Sequence, residues 1–167
     1  MTLPIPAGIQ LSLDNQATWH KLSDHNRSPI STSYEIIEQS QRMANGTMRK
    51  YVVANKLKVS SDWRDLPSLD SNVVDYTSDG LTHGAAWMKA FYEGNVFNPI
   101  YVKLIFAKEI ATLNGLPGTY YDSDSTPGII FNAFITGFTH DLTKRKMGDS
   151  FSPGFDYANV KIEFTEI

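Results

Sequence analysis

The sequence predicts a mainly β protein: a β-sandwich or barrel with one flanking α-helix and a long protruding β-hairpin. Three observations point there. Short runs with period-two alternation recur along the chain, aromatic residues make up 12% of it, and one stretch, 82–93, switches to helical spacing. The 167 residues fit a single domain, 1–167, large enough to bury about two thirds of its unfolded surface around one core.

The first element is a short leading strand. Ile9, Leu11 and Leu13 alternate up to the turn residues Asp14 and Asn15, and Trp19 and Leu22 follow as apolar anchors in a loop. The hairpin comes next, over 29–65, where two extended segments meet at Asn45-Gly46. An Asn-Gly pair between extended segments predicts a two-residue type I′ turn, because both residues tolerate the positive φ that such a turn demands. After it, Tyr51, Val53, Leu57, Val59 and Trp63 occupy odd positions while Lys50, Lys56, Lys58, Ser60, Asp62 and Arg64 fill even ones. That alternation predicts a half-buried strand with the odd residues inward.

Before the turn, Ile30, Tyr34, Ile36 and Ile37 are interrupted by Ser31, Glu35, Glu38, Gln39, Ser40, Gln41 and Arg42. The distal hairpin thus has too few apolar residues to bury against its own domain. Two readings follow: an ordinary solvated hairpin lying on the sheet, or an arm supported by a neighbouring copy, since a long two-stranded ribbon is marginal in water on its own. The second makes Tyr34, Ile36, Ile37, Met43, Asn45, Gly46, Met48, Arg49 and Tyr51 the candidate subunit interface.

Leu66-Pro67 ends the second hairpin strand, because proline lacks a ladder donor, and the polar run 68–80 reads as a loop. In the helical stretch, Thr82 is placed as N-cap and Gly94 as terminator, with Trp87, Met88 and Phe91 plugging the core. Asn98-Pro99 opens a strand over 100–108 that is apolar on both faces and hence central. A glycine- and proline-rich loop, 114–128, leads to an aromatic strand over 129–139 in which Gly137 offers a bulge. A charged turn region, 143–154, precedes the last strand, 155–167, where Val160, Ile162 and Phe164 share a face and the C-terminus is expected to be structural.

Composition narrows the function. A net charge of −3 supplies no basic excess to displace counterions from nucleic acid. The absence of cysteine removes disulfides, thiolate metal sites and cysteine nucleophiles. No apolar run reaches the roughly 20 residues that span a bilayer, and the first ten residues lack a basic head before an apolar core, so neither a membrane span nor a secretory signal is expected.

Reactive constellations are missing as well. His20, His25, His83 and His140 have no ligand-pair spacing, and the run from Asp122 to Gly128 lacks the glycine and terminal glutamate of a calcium loop. Glu35 and Glu38 fall on opposite faces of a strand, which separates them as an acid and base pair; they solvate the arm or meet residues such as Arg49 and Lys50 across an interface. Lys144, Arg145 and Lys146 read as a solvated turn or a partner contact. The expectation is a protein with no catalytic residues, no metal and no cofactor. A rival reading is a carbohydrate- or receptor-binding β-sandwich in which Trp19 and Tyr120-Tyr121 form an aromatic platform.

The run Arg42-Met43-Ala44-Asn45-Gly46-Thr47-Met48-Arg49-Lys50-Tyr51, followed by Trp63-Arg64-Asp65-Leu66-Pro67, resembles the pattern of tail tube and minor tail proteins of tailed bacteriophages. Trp87-Met88, Phe91-Tyr92, Thr143-Lys144-Arg145 and the closing Phe155-Asp156-Tyr157 to Phe164-Thr165-Glu166-Ile167 continue it in order, so the resemblance spans 29–167 in outline and leaves out the loop 113–128. It implies a tail-tube-like β subunit in the virion tail, made in the host cytoplasm. The subunit would form homo-oligomeric rings of six that contact other phage tail proteins and enclose a channel through which genome DNA passes without specific binding. In that setting the long hairpin reaches a neighbour or an adjacent ring.

Overall fold

A computed structural model describes residues 8–70, 82–105, 120–121, 127–151 and 153–167. The element order is β1 (Gly8–Ser12), β2 (His20–Lys21), β3 (Ser31–Arg42), β4 (Met48–Pro67), α1 (Ala85–Asn95), β5 (Ile100–Ile105), β6 (Tyr120–Tyr121), β7 (Pro127–Lys146) and β8 (Phe155–Glu166). The mainly β class, the helix and the long hairpin are all present. Every strand joins one antiparallel sheet in the order β2-β1-β5-β7-β8-β4-β3, with β6 beside the start of β7.

The sheet curls around its core. The segment after β2 returns to β4 through an Arg27–Trp63 bridge, with Ser28 N–H donating to the Asp62 carbonyl and Arg64 N–H to that of Asn26. The path β1-β5-β7-β8-β4 is therefore tied end to end by residues 20–28. Inside lie Ile9 and Leu11 of β1, Leu57, Val59 and Trp63 of β4, Val102 and Leu104 of β5, Phe131 of β7 and Val160, Ile162 and Phe164 of β8, all buried. The inward alternation expected of 57–63 is what positions these β4 residues. Trp63 is the largest of them, and its indole N–H, which could not be buried unpaired, donates to the Ser23 carbonyl at 2.7 Å.

Helix α1 packs Ala85, Met88 and Phe91 into this core, while Trp87 stays half-buried against it and Tyr92 stacks on Phe138. Its caps differ from the expected ones. Thr82 is fully buried, and 82–84 is committed to β2, with His83 N–H donating to the Lys21 carbonyl and Ser23 N–H donating to that of His83. Gly84 takes the N-cap position, and the donors a helix start leaves unpaired are met from 68–70: Asp70 Oδ1 accepts from Gly84 N–H at 2.8 Å and the Ser68 carbonyl from Ala86 N–H. Gly94 lies inside the helix, and Asn95 Nδ2 donates back to the Phe91 carbonyl.

Gly84 also lies in close contact with the chain at the end of β4. A Cβ there would sit 2.3 Å from the Leu69 carbonyl oxygen and 2.6 Å from that of Pro67, both backbone atoms that cannot step aside. Gly84→Ala is expected to lower stability by about 2 kcal/mol, within the range for overpacked sites. The urea midpoint against wild type checks it.

Other boundaries also move. The strand expected over 100–108 is described to Ile105, and the remainder, like most of the 68–80 and 114–128 loops, lies outside the described residues. Within 114–128, Tyr120–Tyr121 forms β6. β7 runs on to Lys146, through residues expected in a turn, because two one-residue bulges let it follow β8. Thr136 and Thr143 are the extra residues, the first next to Gly137, where a bulge was expected.

Candidate functional site

β8 pairs with β4 only as far as Lys58, whereas β3 and β4 stay paired to Arg42 and Met48. From Leu57 outward the hairpin is a two-stranded arm of roughly 35 Å, at about 3.3 Å per residue. All twelve residues of β3 are exposed, as are Met48 to Val53 of β4.

Which face each side chain takes is decided by a bulge. Ile37 pairs with Ala54 and Glu38 with Val52, so Val53 opposes no residue of β3. Below the bulge, Tyr34 lies opposite the buried Leu57, so Tyr34 and Ile36 continue the core-facing side. Above it, Val52 and Met48 carry that side on, opposite Glu38 and Arg42. The stripe Tyr34, Ile36, Val52, Met48 is thus an outward extension of the core face that nothing among the described residues covers. Ile37, Ala54, Tyr51 and Arg49 lie on the opposite face. The expectation that Tyr51 and Val53 share the face of Leu57 is corrected: the run Tyr51-Val52-Val53-Ala54 is apolar at both parities, and the extra residue exchanges them.

The nine residues named from the sequence all lie on the arm. Tyr34, Ile36 and Met48 are on the core-facing side, Ile37, Arg49 and Tyr51 on the other, and Met43, Asn45 and Gly46 at the tip. Val52 and Val53, 51% and 69% exposed, belong with them and were missed. The tip is not the two-residue turn expected. Gly46 N–H donates to the Met43 carbonyl, Met43 N–H to that of Thr47, and only Gly46 has positive φ, at 84°. This fits the three-residue loop in which a type I turn is followed by a left-handed glycine, while Asn45 Oδ1 accepts from Thr47 N–H. Glu38 pairs with Lys50 on one face and Glu35 with Lys58 at 2.8 Å on the other, so these carboxylates find their cations within the arm.

Two long strand edges accompany the arm. Among the described residues β3 has a partner on one side only, and β7 from Phe134 onward pairs only with β8, its opposite edge having been used by β5 up to Ala133. The four strands β3-β4-β8-β7 therefore present an unpaired edge on each flank.

No protein-family model matches the chain, and no curated protein matches it. A solved structure described as "Tail of empty GTA particle computed with helical refinement, C6 symmetry" has a chain similar to this one, with a TM-score of 0.47 and 10% identity over 96% of this chain and 90% of that one. A likeness at that level carries no argument about function.

Elsewhere, two of the sequence motifs meet. Asp65 has φ of 47° at a β4 bulge, and its carboxylate accepts from Thr143 Oγ1 at 2.7 Å and Lys144 Nζ at 3.2 Å, across β8. The hydroxyl first, then the ammonium, hold the carboxyl below its usual range. Trp19 is half-buried, and the Lys103 ammonium lies 4.4 Å from its ring centre, which removes that ring face from any sugar platform; the side chains of Tyr120 and Tyr121 lie outside the described residues. Among the described residues no three His, Cys, Asp or Glu side chains converge as metal ligands, and no helix is long and apolar enough to cross a membrane. Two histidines treated as unrelated, His20 and His83, do meet, at 3.2 Å.

Proposed function

We propose that this chain is a structural protein of a bacteriophage-type tail, one that closes with copies of itself into rings and has no catalytic role. The observation that carries the reading is β3: a twelve-residue edge strand, exposed along its whole length, ending in an arm with an uncovered apolar stripe. Isolated in water such an edge invites uncontrolled pairing, and closure with identical copies is one physical way of covering it. The two unpaired edges lie on opposite flanks of one four-stranded unit, which suits head-to-tail pairing of β3 in one copy with β7 in the next. Six copies per ring, contact with other tail proteins and a lumen that passes DNA are what the sequence resemblance adds.

Negative-stain microscopy of the purified chain, with sedimentation velocity from micromolar to millimolar concentration, tests this. Rings or tubes of about sixfold symmetry are expected. A chain that remains monomeric throughout that range overturns the reading.

A further inference from the structure

We infer that His20, His83 and Asp70 form an acid-sensitive latch holding the start of helix α1 to strand β2. His83 Nδ1 lies 2.8 Å from Asp70 Oδ2, and His83 Nε2 lies 3.2 Å from His20 Nδ1. An ionised carboxylate only accepts, so His83 carries its proton on Nδ1 and leaves Nε2 as a lone-pair acceptor. His20 must then donate from Nδ1. Both tautomers follow from that one carboxylate.

The chain Asp70–His83–His20 tolerates one extra proton. A proton on His20 Nε2 leaves the Nδ1–H donor in place. With a second proton both rings are imidazolium, two N–H groups face each other across 3.2 Å, and the contact has to open. Burial first, and then the neighbouring His83, lower His20 below its ordinary value of 6.5, while Asp14 opposes the shift. The sign follows: the fold favours neutral His20, so its contribution is complete above about pH 6.5 and falls away as the pH drops through the depressed value.

Among the described residues, the groups around the pair come from three places. Asp70 bonds to His83, Asp14 acts on His20 from the loop after β1, and α1 presents the uncharged Trp87. From β5, Lys103 lies on the other face, because it pairs with Gln10 whereas His20 pairs with Leu11.

Opening has a mechanical consequence. The His83 ring stacks on Trp87 with centroids 4.0 Å apart and planes 12° from parallel, and Trp87 stacks in turn on Phe91 at 4.8 Å. The His83 backbone bridges Lys21 and Ser23. Displacing the His83 ring therefore uncovers Trp87 and loosens the segment that joins β2 to α1.

The test is a pH titration of the full chain from 8 to 4.5, following tryptophan emission and the imidazole ring nitrogens by NMR. At neutral pH, His83 is expected as the Nδ1–H tautomer. On acidification the His20 ring should take up its proton in a step below 6.5, and once both rings are charged the contact should open with a red shift of emission. His20→Gln keeps an N–H donor but cannot titrate, and should lose the step and the shift. A His20 ring that titrates at or above 6.5 overturns the proposal, as does an undiminished emission change in His20→Gln. If that variant fails to fold, the wild-type ring-nitrogen titration decides alone.

Discussion

Replacing Ile36 and Val52 together by aspartate is expected to leave the monomer folded and to abolish the proposed self-assembly. The two side chains lie on the core-facing side of the arm, about half exposed, beyond the last residue that β8 supports. The cost to the monomer is a loss of β-propensity on an exposed ribbon, on the order of 1 kcal/mol, and fraying there leaves Leu57 and Val59 covered by β8 and the core. In an assembly that covers the arm, the same change buries two carboxylates against an apolar surface. Central interface residues contribute about 2 kcal/mol or more each, so the pair, about 4 kcal/mol together, should weaken association by roughly 700-fold, and a closed ring repeats that loss at every joint. Sedimentation velocity at matched concentration, with far-UV circular dichroism on the same sample, reads both quantities. Unchanged assembly in a folded double variant would show that this stripe is not an interface.

How much of this could be read from the sequence depends on how local its cause is. The inward residues Leu57, Val59 and Trp63 were legible because nothing disturbs strict alternation there, and the last strand was legible for the same reason at Val160, Ile162 and Phe164. Alternation fails at Val53, Thr136 and Thr143, where an extra residue exchanges the two faces. At Val53 the surrounding run is apolar in both phases, so composition offers no way to place the bulge. The helix itself was visible, but its N-cap was not. The carboxylate that meets Gly84 N–H comes from Asp70, fourteen residues earlier, and a window centred on the helix sees only Thr82. His20 and His83 are sixty-three residues apart, and the bridge between Leu22 and His83 brings them together. The arm was recognisable through a deficit, since β3 lacks the apolar residues that a covered strand needs. A deficit identifies an uncovered element without saying which of its faces needs covering.

Trp63→Ala should be the most damaging single substitution. The side chain is 1% exposed, stands in the last third of β4, and lies where the segment 20–28 returns to the sheet. Two losses coincide. Removing a buried tryptophan costs about 3–5 kcal/mol in transfer and cavity terms. The Ser23 carbonyl also loses the indole donor at 2.7 Å, and the loss of that buried hydrogen bond adds about 0.5–1.5 kcal/mol. Against a total of about 5–15 kcal/mol for a domain, the sum takes a large part of the stability of a typical chain. Trp63→Phe separates the terms: it keeps most of the apolar volume and loses the donor, so it should fall short of the alanine variant by roughly the cavity term. Urea unfolding followed by far-UV circular dichroism, which does not depend on the indole removed, measures both. The arm gives a built-in contrast, because Trp63→Ala should lower the unfolding midpoint of the monomer strongly whereas the aspartate pair should lower association and shift that midpoint far less. A loss below about 1 kcal/mol for Trp63→Ala would mean that the tie between 20–28 and β4 does not hold the sheet together.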